Sequence, residues 1–600
     1  MSRPAVVILG PSGLELGRRI ADTLGGELHG YGPRIGQGVV AFAATAEHLR
    51  TLFAAGRPIV GICAAGILIR ALAPLLTDKR DEPPVVALAE DGSAAVPLLG
   101  GHHGANDLAR RIAEITGGKA AITTAGDLRH GMALDAPPPG WRLADPGAAK
   151  AVMASLLAGQ SVALQNETRI PADWLSGLPW VGEATQSILI TERAVKDSSK
   201  LVLHPASVVV GIGCERLAPA DEVIALAERS LAQSGLSPLS VACVASIALK
   251  AAEPAVHALA AHWQVPARFF AADVLEQETP RLANPSDLVF RETGCHGVAE
   301  GAALVSVGAD GRLALPKQRS QRATCAIAIA AHIVDPQTVG QGRGQLSILG
   351  LGPGSPASRT PEVEDALRQA TDWVGYKLYL DLLQSLAAGK TQHAFELGAE
   401  EARVAHALNL AAQGRDVALI SSGDAGIYAM ATLVFELIER GARPDWARIA
   451  ITGLPGISAM QVAAARIGAP LGHDFCAISL SDLLTPWPAI ERRLRAAADG
   501  DFVVALYNPV SQRRRHQLAA ARDILLTARP AETPVVLGRN LGRAGEILSV
   551  TTLKQLDPAE VDMLTVVLIG ASTTRAVARP DGGEWVYTPR GYAAKKEGAA

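Results

Sequence analysis

The segment SILGLGPGS, residues 347–355, is a short apolar run that leads into Gly350, Gly352 and Gly354. Such a run predicts a buried strand, and the glycines allow the backbone after it to turn tightly and to offer free N–H groups to a ligand. Glycine-rich strand ends also occur in purely structural turns, so the segment alone does not identify a site. It does predict that an α/β domain begins more than halfway along this chain of 600 residues.

Strand-like and helix-like stretches alternate on both sides of this segment. PAVVILG is followed by LELGRRIADTL near the N-terminus, and DVALISSGD is followed by YAMATLVFELIER in the C-terminal half. This order is typical of parallel sheets with right-handed crossovers. We therefore predict a multidomain α/β fold with parallel or mixed sheets covered by helices.

The chain is too long for a single domain, because one hydrophobic core stops growing at roughly 250 to 300 residues. Its clearest seam is VDPQTVGQGRGQ, which has the composition of a linker. The predicted divisions are a first domain at 1–134, a middle region at 135–205, a third domain at 206–333, the linker at 334–345 and a two-subdomain region at 346–590.

The composition and the net charge limit the kinds of partner that we expect for this protein. Charged residues make up 19% of the chain and the formal net charge is -3, so there is no electrostatic reason to expect nucleic acid. The most apolar run, TCAIAIAAHIV, is about half the roughly 20 residues that a membrane helix needs. The N-terminal apolar run predicts a strand rather than a signal peptide, so we expect a cytoplasmic protein without a membrane partner. The six cysteines form no C-x-x-C pair, which argues against a zinc ribbon.

Four further segments accompany the first: ISSGDAGIYAMA at 420–431, GLPGISAMQVAAARIGAPLGHDFCAISLSDLLTPW at 453–487, DFVVALYNPVSQRRR at 501–515 and VVLGRN at 535–540. In this order the five segments resemble the tetrapyrrole methyltransferase family, over about residues 345–577. Within that family they are most similar to the enzymes that methylate precorrin-3B at carbon 17.

The resemblance implies a cleft between two α/β subdomains that binds S-adenosylmethionine, largely through backbone groups. The implied cofactor-binding residues follow the motifs: Gly352, Pro353, Gly354, Gly423, Asp424, Ala425, Ile427, Tyr428, Ser458, Ala459, Tyr507 and Asn508. The family usually has Asp after Gly-Pro-Gly, whereas this chain has Ser355. That difference removes a carboxylate that could face the cationic sulfonium.

The resemblance also implies ring contraction after methyl transfer, in which a hydroxyl at carbon 20 loses its proton and the macrocycle rearranges. Methyl transfer itself requires alignment of donor and acceptor rather than a metal or a nucleophilic side chain. Ring contraction requires a general base, for which Asp424 and Asp482 are the catalytic candidates. A helix N-cap explains Asp482 equally well, because Ser-x-Asp before an apolar run is a capping signal.

An acidic tetrapyrrole is the implied substrate, and arginine suits the recognition of its carboxylate arms. The segment RRRH supplies Arg513 and Arg514, and ISLSDLLTPW supplies Ser479 and Ser481, as predicted substrate-binding residues. A solvated helix face is the competing interpretation of RRRH.

The N-terminal half carries a second resemblance. Residues 61–127, from GICAAGILIRALAPLL to ITTAGD, resemble the N-terminal domain of the cobalt-precorrin-5A hydrolases. Four further segments of this chain, within 208–328, resemble the C-terminal domain of the same hydrolases: VVVGIGCER, ASIALKAAEP, TGCHGVAEGAAL and LALPKQRSQRATCAIA. The resemblance covers about residues 1–330 and is poor over 135–200. It implies opening of a ring-A lactone by water with release of acetaldehyde, and it places both halves in cobalamin biosynthesis.

His102, Lys250 and Glu300 are the predicted catalytic residues of this half. They belong to a set of polar residues inside the matching motifs: His102, His103, Asn106, Lys250, Glu253, Glu300 and Lys317. The first three are expected at a helix N-terminus, and Lys250 and Glu253 are also spaced as a surface i,i+3 pair. Adjacent histidines point to different sides of an element and no third ligand is evident, so no metal is predicted.

Several alternatives stay open. The macrocycle could carry cobalt, and the N-terminal half could bind or channel tetrapyrrole without hydrolysing it, because a fold does not establish a working site. The same methyltransferase fold also serves enzymes that act on diphthamide or ribosomal RNA, although ISLSDLLTPW and LYNPVSQRRR argue against them. The family fold is commonly dimeric, so a homodimer is a further expectation from the resemblance.

Overall fold

The chain forms two compact units, one of residues 1–343 with 384–389 and one of residues 344–383 with 390–600. The computed structural model describes residues 3–32, 39–77, 82–124, 129, 132–196, 199–387, 389–441, 443–511, 514–580 and 582–591. Both units combine helices with parallel or mixed sheets, which confirms the predicted α/β class. No helix in these described stretches is long and apolar enough to cross a membrane.

The first sheet of unit one has the strand order β3-β2-β1-β4-β5-β6-β7. Its strands are β1 (Ala5–Ile8), β2 (Glu27–Tyr31), β3 (Val40–Phe42), β4 (Ile59–Ile62), β5 (Val85–Leu88), β6 (Ala94–Leu99) and β7 (Lys119–Ala120). Alternate residues of β1 enter two different cores: Val6 and Ile8 pack with helices Leu14–Leu24 and Ala105–Thr116. Ala5 and Val7 pack with helices Thr45–Ala54 and Ala65–Leu72. The all-apolar strand is explained by this burial on both faces.

Two further five-stranded sheets complete unit one, with orders β10-β9-β11-β12-β8 and β15-β14-β13-β17-β16. The second sheet contains β8 (Trp141–Leu143), β9 (Val162–Asn166), β10 (Trp180–Val181), β11 (Ser187–Ile190) and β12 (Leu201–Pro205), with helix Pro146–Leu157. The third contains β13 (Val208–Cys214), β14 (Val241–Ile247), β15 (Ala267–Phe270), β16 (Arg312–Arg319) and β17 (Ala323–Ile329). Its helices are Ala220–Ser234, Pro254–His262, Ala272–Glu276, Asp287–Thr293 and Val298–Val307.

A buried pair of histidines lies beside β2. His29 is 3% exposed, and its Nδ1 lies 3.0 Å from Nε2 of His48. Glu27 Oε2 lies 2.8 Å from Arg57 Nη1 and 3.6 Å from His29 Nε2. Burial, reinforced by His29 and Arg57, lowers the pKa of His48 to about 4.

We expect the stability of this region to fall as the pH is lowered from about 6.5 to about 4. The unfolded chain protonates His48 near an ordinary pKa of about 6.5, whereas the folded state keeps it neutral down to about pH 4. The unfolded state therefore binds more protons throughout this window, and protonation favours unfolding. Thermal unfolding of His48→Gln should show a shallower decline between these pH values. An equally steep decline in the variant would contradict the assignment.

Unit two begins with a five-stranded parallel sheet of order β20-β19-β21-β18-β22. Its strands are β18 (Gln345–Gly350), β19 (Asp372–Tyr376), β20 (Thr391–Phe395), β21 (Asp416–Ser421) and β22 (Ala450–Leu454). The accompanying helices are Pro361–Gln369, Lys377–Asp381, Glu400–Ala412 and Met430–Gly441. Residues 347–355 thus form the end of β18 and the loop after it, and β18 is an interior strand of this parallel sheet, between β21 and β22.

A second, mixed sheet of order β24-β25-β28-β26-β27 follows in unit two. It contains β24 (Phe475–Ser479), β25 (Val503–Tyr507), β26 (Pro534–Arg539), β27 (Ile547–Thr552) and β28 (Thr565–Ile569). Helices Ala459–Ile467, Trp487–Asp499 and Gln517–Leu526 accompany it. A small sheet of β23 (Gly468–Ala469), β30 (Glu584–Tyr587) and β29 (Arg575–Ala578) completes the unit.

Candidate active-site cleft

Three glycines bring the carboxyl ends of neighbouring parallel strands into backbone contact. Gly350 ends β18, Gly423 follows β21 and Gly456 follows β22. A Cβ added at Gly456 would overlap the carbonyl oxygens of Gly423 and Gly350. A Cβ added at Gly350 would lie 2.6 Å from both Gly423 O and Gly456 N. Glycine is therefore required by close approach of the chain to itself, which shapes the loops above the sheet.

The loops after β18 and β21 are joined by two reciprocal backbone hydrogen bonds. Gly352 N donates to Gly423 O at 3.1 Å, and Gly423 N donates to Gly352 O at 2.8 Å. Both glycines have positive φ, 74° and 67°. In an open α/β sheet, ligands bind outside the carboxyl ends of the strands, which is where this bridge lies.

Asp424 ties the loop after β21 to the loop after β22. Its Oδ1 accepts from Gly426 N at 2.8 Å and its Oδ2 accepts from Gly456 N at 3.0 Å. The carboxylate therefore joins two of the three strand ends that the glycines bring together.

Arg543 fastens the loop between β26 and β27 of the mixed sheet onto the loops of the parallel sheet. Its Nε donates to Pro353 O at 2.8 Å and its Nη2 donates to Ser422 Oγ at 2.9 Å. A Cβ added at Gly354 would overlap this arginine, with Arg543 Nε only 2.8 Å away. Arg543 was not predicted from the sequence, because it lies three residues beyond the matching segment VVLGRN.

These loops enclose a cleft of about 540 Å³ within unit two. Most of the predicted cofactor-binding residues line it: Pro353, Gly423, Asp424, Ile427, Tyr428, Ser458, Ala459, Tyr507 and Asn508. Gly352, Gly354 and Ala425 lie in the same loops beside it. Other lining residues were not predicted, among them Tyr376, Tyr379, Glu400, Arg403, Asn540, Arg543 and Met563.

Three lining residues other than glycine adopt the left-handed conformation: Tyr428, Asn508 and Asn540, with φ of 51°, 50° and 50°. Each is held by a hydrogen bond. Tyr428 Oη donates to Ala477 O at 2.8 Å, Asn508 Nδ2 donates to Ser479 Oγ at 3.1 Å, and Asn540 N donates to Leu564 O at 3.1 Å. Backbone strain of this kind is concentrated at ligand sites, where the surrounding structure over-determines the conformation.

Aromatic and capping groups form another part of the wall. The rings of Tyr428 and Tyr507 lie 5.5 Å apart, and burial raises the pKa of both phenols, so both are neutral near pH 7. Ser458 caps helix Ala459–Ile467, and Gln461 completes the capping box. The helix thereby presents its N-terminal turn at the cleft.

Three of the predicted substrate-binding residues, Ser479, Ser481 and Arg514, form a hydrogen-bonded group beside the cleft rather than in its lining. Ser479 Oγ accepts from Ser481 N at 3.3 Å as well as from Asn508. The Arg514 side chain is 11% exposed, and its Nη1 donates to Leu480 O and Asn508 O. The solvated-helix interpretation of RRRH is therefore wrong for Arg514, and Arg513 lies outside the described residues.

Asp482 belongs to the same group. Its Oδ2 accepts from Gln517 Nε2 at 3.0 Å, and it does not line the cleft. The N-cap alternative for Asp482 was wrong, because the next helix begins at Trp487, after Pro486. The residue before a proline is disfavoured in helical conformation, so Pro486 keeps Thr485 out of the helix and delays its start.

In unit one, the predicted histidine region lies at the start of helix Ala105–Thr116, as expected. Asn106 is 8% exposed, and its Nδ2 donates to Thr124 Oγ1 at 3.0 Å. A cavity of about 420 Å³ next to it is also lined by Glu82, Gly101 and Asp135. The side chain of His102 lies outside the described part of the structure.

The other predicted residues of this half belong to the third sheet and the turns and helices that accompany it, and not to the region of Asn106. Lys250 Nζ lies 3.5 Å from Glu253 Oε2, but Glu253 is 6% exposed and accepts from Leu217 N at 2.8 Å, so the pair is not a surface pair.

Glu300 is 1% exposed and accepts four hydrogen bonds of 2.8 to 2.9 Å. Their donors are the backbone N–H groups of Ala283, Asn284 and Lys317 and the amide of Asn284. These bonds occupy the carboxylate and favour a role in positioning the loop, while the catalytic role of Glu300 stays a prediction. Lys317 Nζ donates to Asn284 O at 2.8 Å and strengthens the same loop. Throughout the described ranges, no group of three His, Cys, Asp or Glu residues is placed to hold a metal ion.

Three family models match this chain. Residues 345–557 match the tetrapyrrole (corrin/porphyrin) methylases, residues 47–127 match the cobalamin synthesis G N-terminal model, and residues 208–328 match the cobalamin synthesis G C-terminus model. These matches confirm the methyltransferase resemblance and place a cobalamin-synthesis region in the N-terminal half.

Individual relatives agree. A precorrin-3B C(17)-methyltransferase from Sinorhizobium sp is 46% identical over 250 residues, which are 42% of this chain and 98% of that protein. A probable cobalt-factor III C(17)-methyltransferase from Salmonella typhimurium is 45% identical over 247 residues, 41% of this chain and 99% of that protein. The crystal structure of the methyltransferase CobJ, 46% identical, covers 41% of this chain and 100% of its own, with a TM-score of 0.39.

Proposed function

The chain belongs to the tetrapyrrole (corrin/porphyrin) methylase family, and on that premise we propose that it methylates precorrin-3B at carbon 17 and supports the ring contraction that follows. It is a methyltransferase of cobalamin biosynthesis fused to cobalamin synthesis G domains. The observation that carries the proposal is the cleft above the glycine contacts, in which residues from five separate sequence segments converge.

The cleft fits S-adenosylmethionine in size and in chemistry. Its floor is backbone that a side chain would fill, and its wall offers neutral phenols, a capped helix N-terminus and apolar side chains. Gly423, Ser458 and Asn508 would hold the donor, which when bound supplies an electrophilic methyl group for in-line displacement. The chain aligns the donor with the acceptor and excludes water. In well-oriented systems, alignment lowers the activation barrier by roughly 7 to 11 kcal/mol.

Methyl transfer gives the acceptor carbon a new bond and the macrocycle a positive charge. Ring contraction therefore requires removal of a hydroxyl proton from the macrocycle. Asp424 is the better placed of the two carboxylates predicted for this role, because it lines the cleft and Asp482 does not. We propose that one Asp424 oxygen accepts the proton while the backbone donors of Gly426 and Gly456 fix the carboxylate in place.

Incubation of the full chain with precorrin-3B and S-adenosylmethionine tests the proposal directly. We expect the tetrapyrrole to gain the mass of one methyl group, and S-adenosylhomocysteine to be released in equal amount. Reactions without donor, and reactions with the donor and the Gly354→Val variant, should show no gain, because a valine at 354 overlaps Arg543. Unchanged substrate in the presence of demonstrated donor binding would contradict precorrin-3B as substrate.

Cobalt-loaded macrocycle is the second candidate substrate, because one similar protein carries that substrate in its name. The same assay with cobalt-factor III decides between the two. A higher kcat/KM for the cobalt form would make cobalt-factor III the substrate in place of precorrin-3B, and the methyltransferase activity would still stand.

For the N-terminal half we propose lactone opening on a cobalt-precorrin-5A-type substrate. The supporting observation is the cavity beside Asn106, where Glu82 and Asp135 are carboxylates suited to activating water. Release of acetaldehyde by the full chain supports it, whereas tetrapyrrole binding without acetaldehyde supports a binding or channelling module. The cytoplasmic location and the homodimer stay predictions.

A further inference from the structure

One part of the cleft wall carries a positive charge that no carboxylate of the described residues neutralises. Arg403, on helix Glu400–Ala412, lines the cleft and is 3% exposed. Its Nη2 donates to Glu396 O at 3.2 Å, its Nη1 lies 3.9 Å from Met430 Sδ, and its buried Nε has no hydrogen-bond partner. Among the described residues, Arg403 has no carboxylate at ion-pair distance.

A buried guanidinium is costly unless an opposite charge accompanies it. A carbonyl oxygen and a thioether supply no such charge, and among the described residues the Nε donor is left without a partner. Nε and a neighbouring Nη form the fork that binds a carboxylate with two parallel hydrogen bonds. The missing partner is therefore an anion that comes from outside the protein.

The neighbours of Arg403 reinforce this. Burial raises the pKa of Tyr379, and the positive charges of Arg543 and Arg403 oppose that rise, so both guanidiniums lie near this phenol in the cleft. The Tyr376 ring packs edge-on against Tyr379, with centroids 5.3 Å apart. Glu400 also lines the cleft, but its Oε1 accepts from Gly398 N at 3.1 Å and it makes no ion pair with Arg403 in the described structure.

We propose that Arg403, together with Arg543 and Tyr379, forms a carboxylate-binding subsite of the cleft. This subsite rests on the proposed methyltransferase function. A carboxylate is the group that the tetrapyrrole and S-adenosylmethionine have in common. The carboxylate belongs either to an acidic arm of the tetrapyrrole or to the methionyl part of S-adenosylmethionine.

The test is the Arg403→Met variant of the full chain. Methionine fills similar space without charge, and replacing an unpaired buried charge by an apolar group should leave the melting temperature unchanged or raise it. We expect the affinity for one ligand to fall about 10- to 100-fold, as for the loss of a hydrogen-bonded charge pair, with kcat within about threefold of wild type. Arg403→Lys keeps the charge without the fork and should recover only part of the loss.

Two binding measurements separate the sources of the carboxylate. A higher KM for precorrin-3B with unchanged affinity for S-adenosylhomocysteine, measured by calorimetry, assigns the subsite to the macrocycle. Weaker binding of S-adenosylhomocysteine assigns it to the donor. Unchanged binding of both ligands by a folded Arg403→Met variant would overturn the subsite.

Arg440→Met is the matched control. Arg440 lies on the next helix, is 58% exposed and pairs with Glu401, so removing it changes the net charge equally without touching the cleft. A wild-type protein that does not methylate precorrin-3B would refute the proposed substrate and not the subsite. In that case, the carboxylate-binding subsite is still tested by titrating uroporphyrin III and S-adenosylhomocysteine into the wild-type protein and into Arg403→Met.

Discussion

Gly456→Ala should abolish methyl transfer and lower the stability of the C-terminal unit. The added methyl group would overlap the carbonyl oxygens of Gly423 and Gly350, which are backbone atoms at the ends of two neighbouring strands and cannot rotate away. Overpacking of this kind costs about 1 to 3 kcal/mol of the free energy of unfolding. We expect kcat/KM to fall at least about 100-fold, since displacement of a site by about 1 Å has that effect.

Gly453→Ala provides the control, because its added Cβ meets nothing within 4 Å. The two glycines lie three residues apart at the same strand end, so the comparison isolates the backbone contact from the general effect of replacing glycine. Thermal unfolding and binding of S-adenosylhomocysteine should be altered in Gly456→Ala alone. Equal stability and equal ligand binding of the two variants would contradict the prediction, because the three strand ends would then tolerate being moved apart.

Asp424→Asn should lower kcat by about 100- to 10,000-fold, the usual range for removal of a general base. Asparagine retains one carbonyl oxygen, so one of the two backbone donors keeps its partner while the other faces an amide N–H. The methylated but uncontracted macrocycle should accumulate, and mass spectrometry distinguishes this from loss of methyl transfer.

A purely structural role for Asp424 makes a different prediction. Binding of S-adenosylhomocysteine and methyl transfer would then fall together. Asp482→Asn serves as comparison, and we expect its kcat within about threefold of wild type because Asp482 does not line the cleft. A larger effect at Asp482 would move the base to that residue.

The sequence predicted the part of the cleft that consists of strand ends, because those residues lie in contiguous motifs. Gly352, Gly423 and Asp424 each follow a recognisable apolar run, and a parallel sheet necessarily brings such ends to one edge. Arg543 and Arg403 could not be found in this way. Arg543 acts on Pro353, 190 residues away, and Arg403 is identified only by the lack of a partner in the folded chain.

The middle region shows a different limit. Residues 135–205 carried little resemblance to a family, yet the structure has a five-stranded sheet there. β8 has three residues and β10 has two, so neither is long enough to display a periodic pattern. Glu300 illustrates a third limit, since an acidic residue in an apolar motif signals burial with hydrogen bonds as readily as catalysis.

The left-handed residues Tyr428, Asn508 and Asn540 have a consequence for evolution and engineering of this enzyme. Such conformations cost stability, so selection for heat resistance alone would favour glycine at these positions. The side chains would then be lost from the cleft, and the gain in robustness would be accompanied by a weaker catalyst. A thermostable variant that stays active should instead acquire its substitutions on exposed helix faces and leave these three positions unchanged.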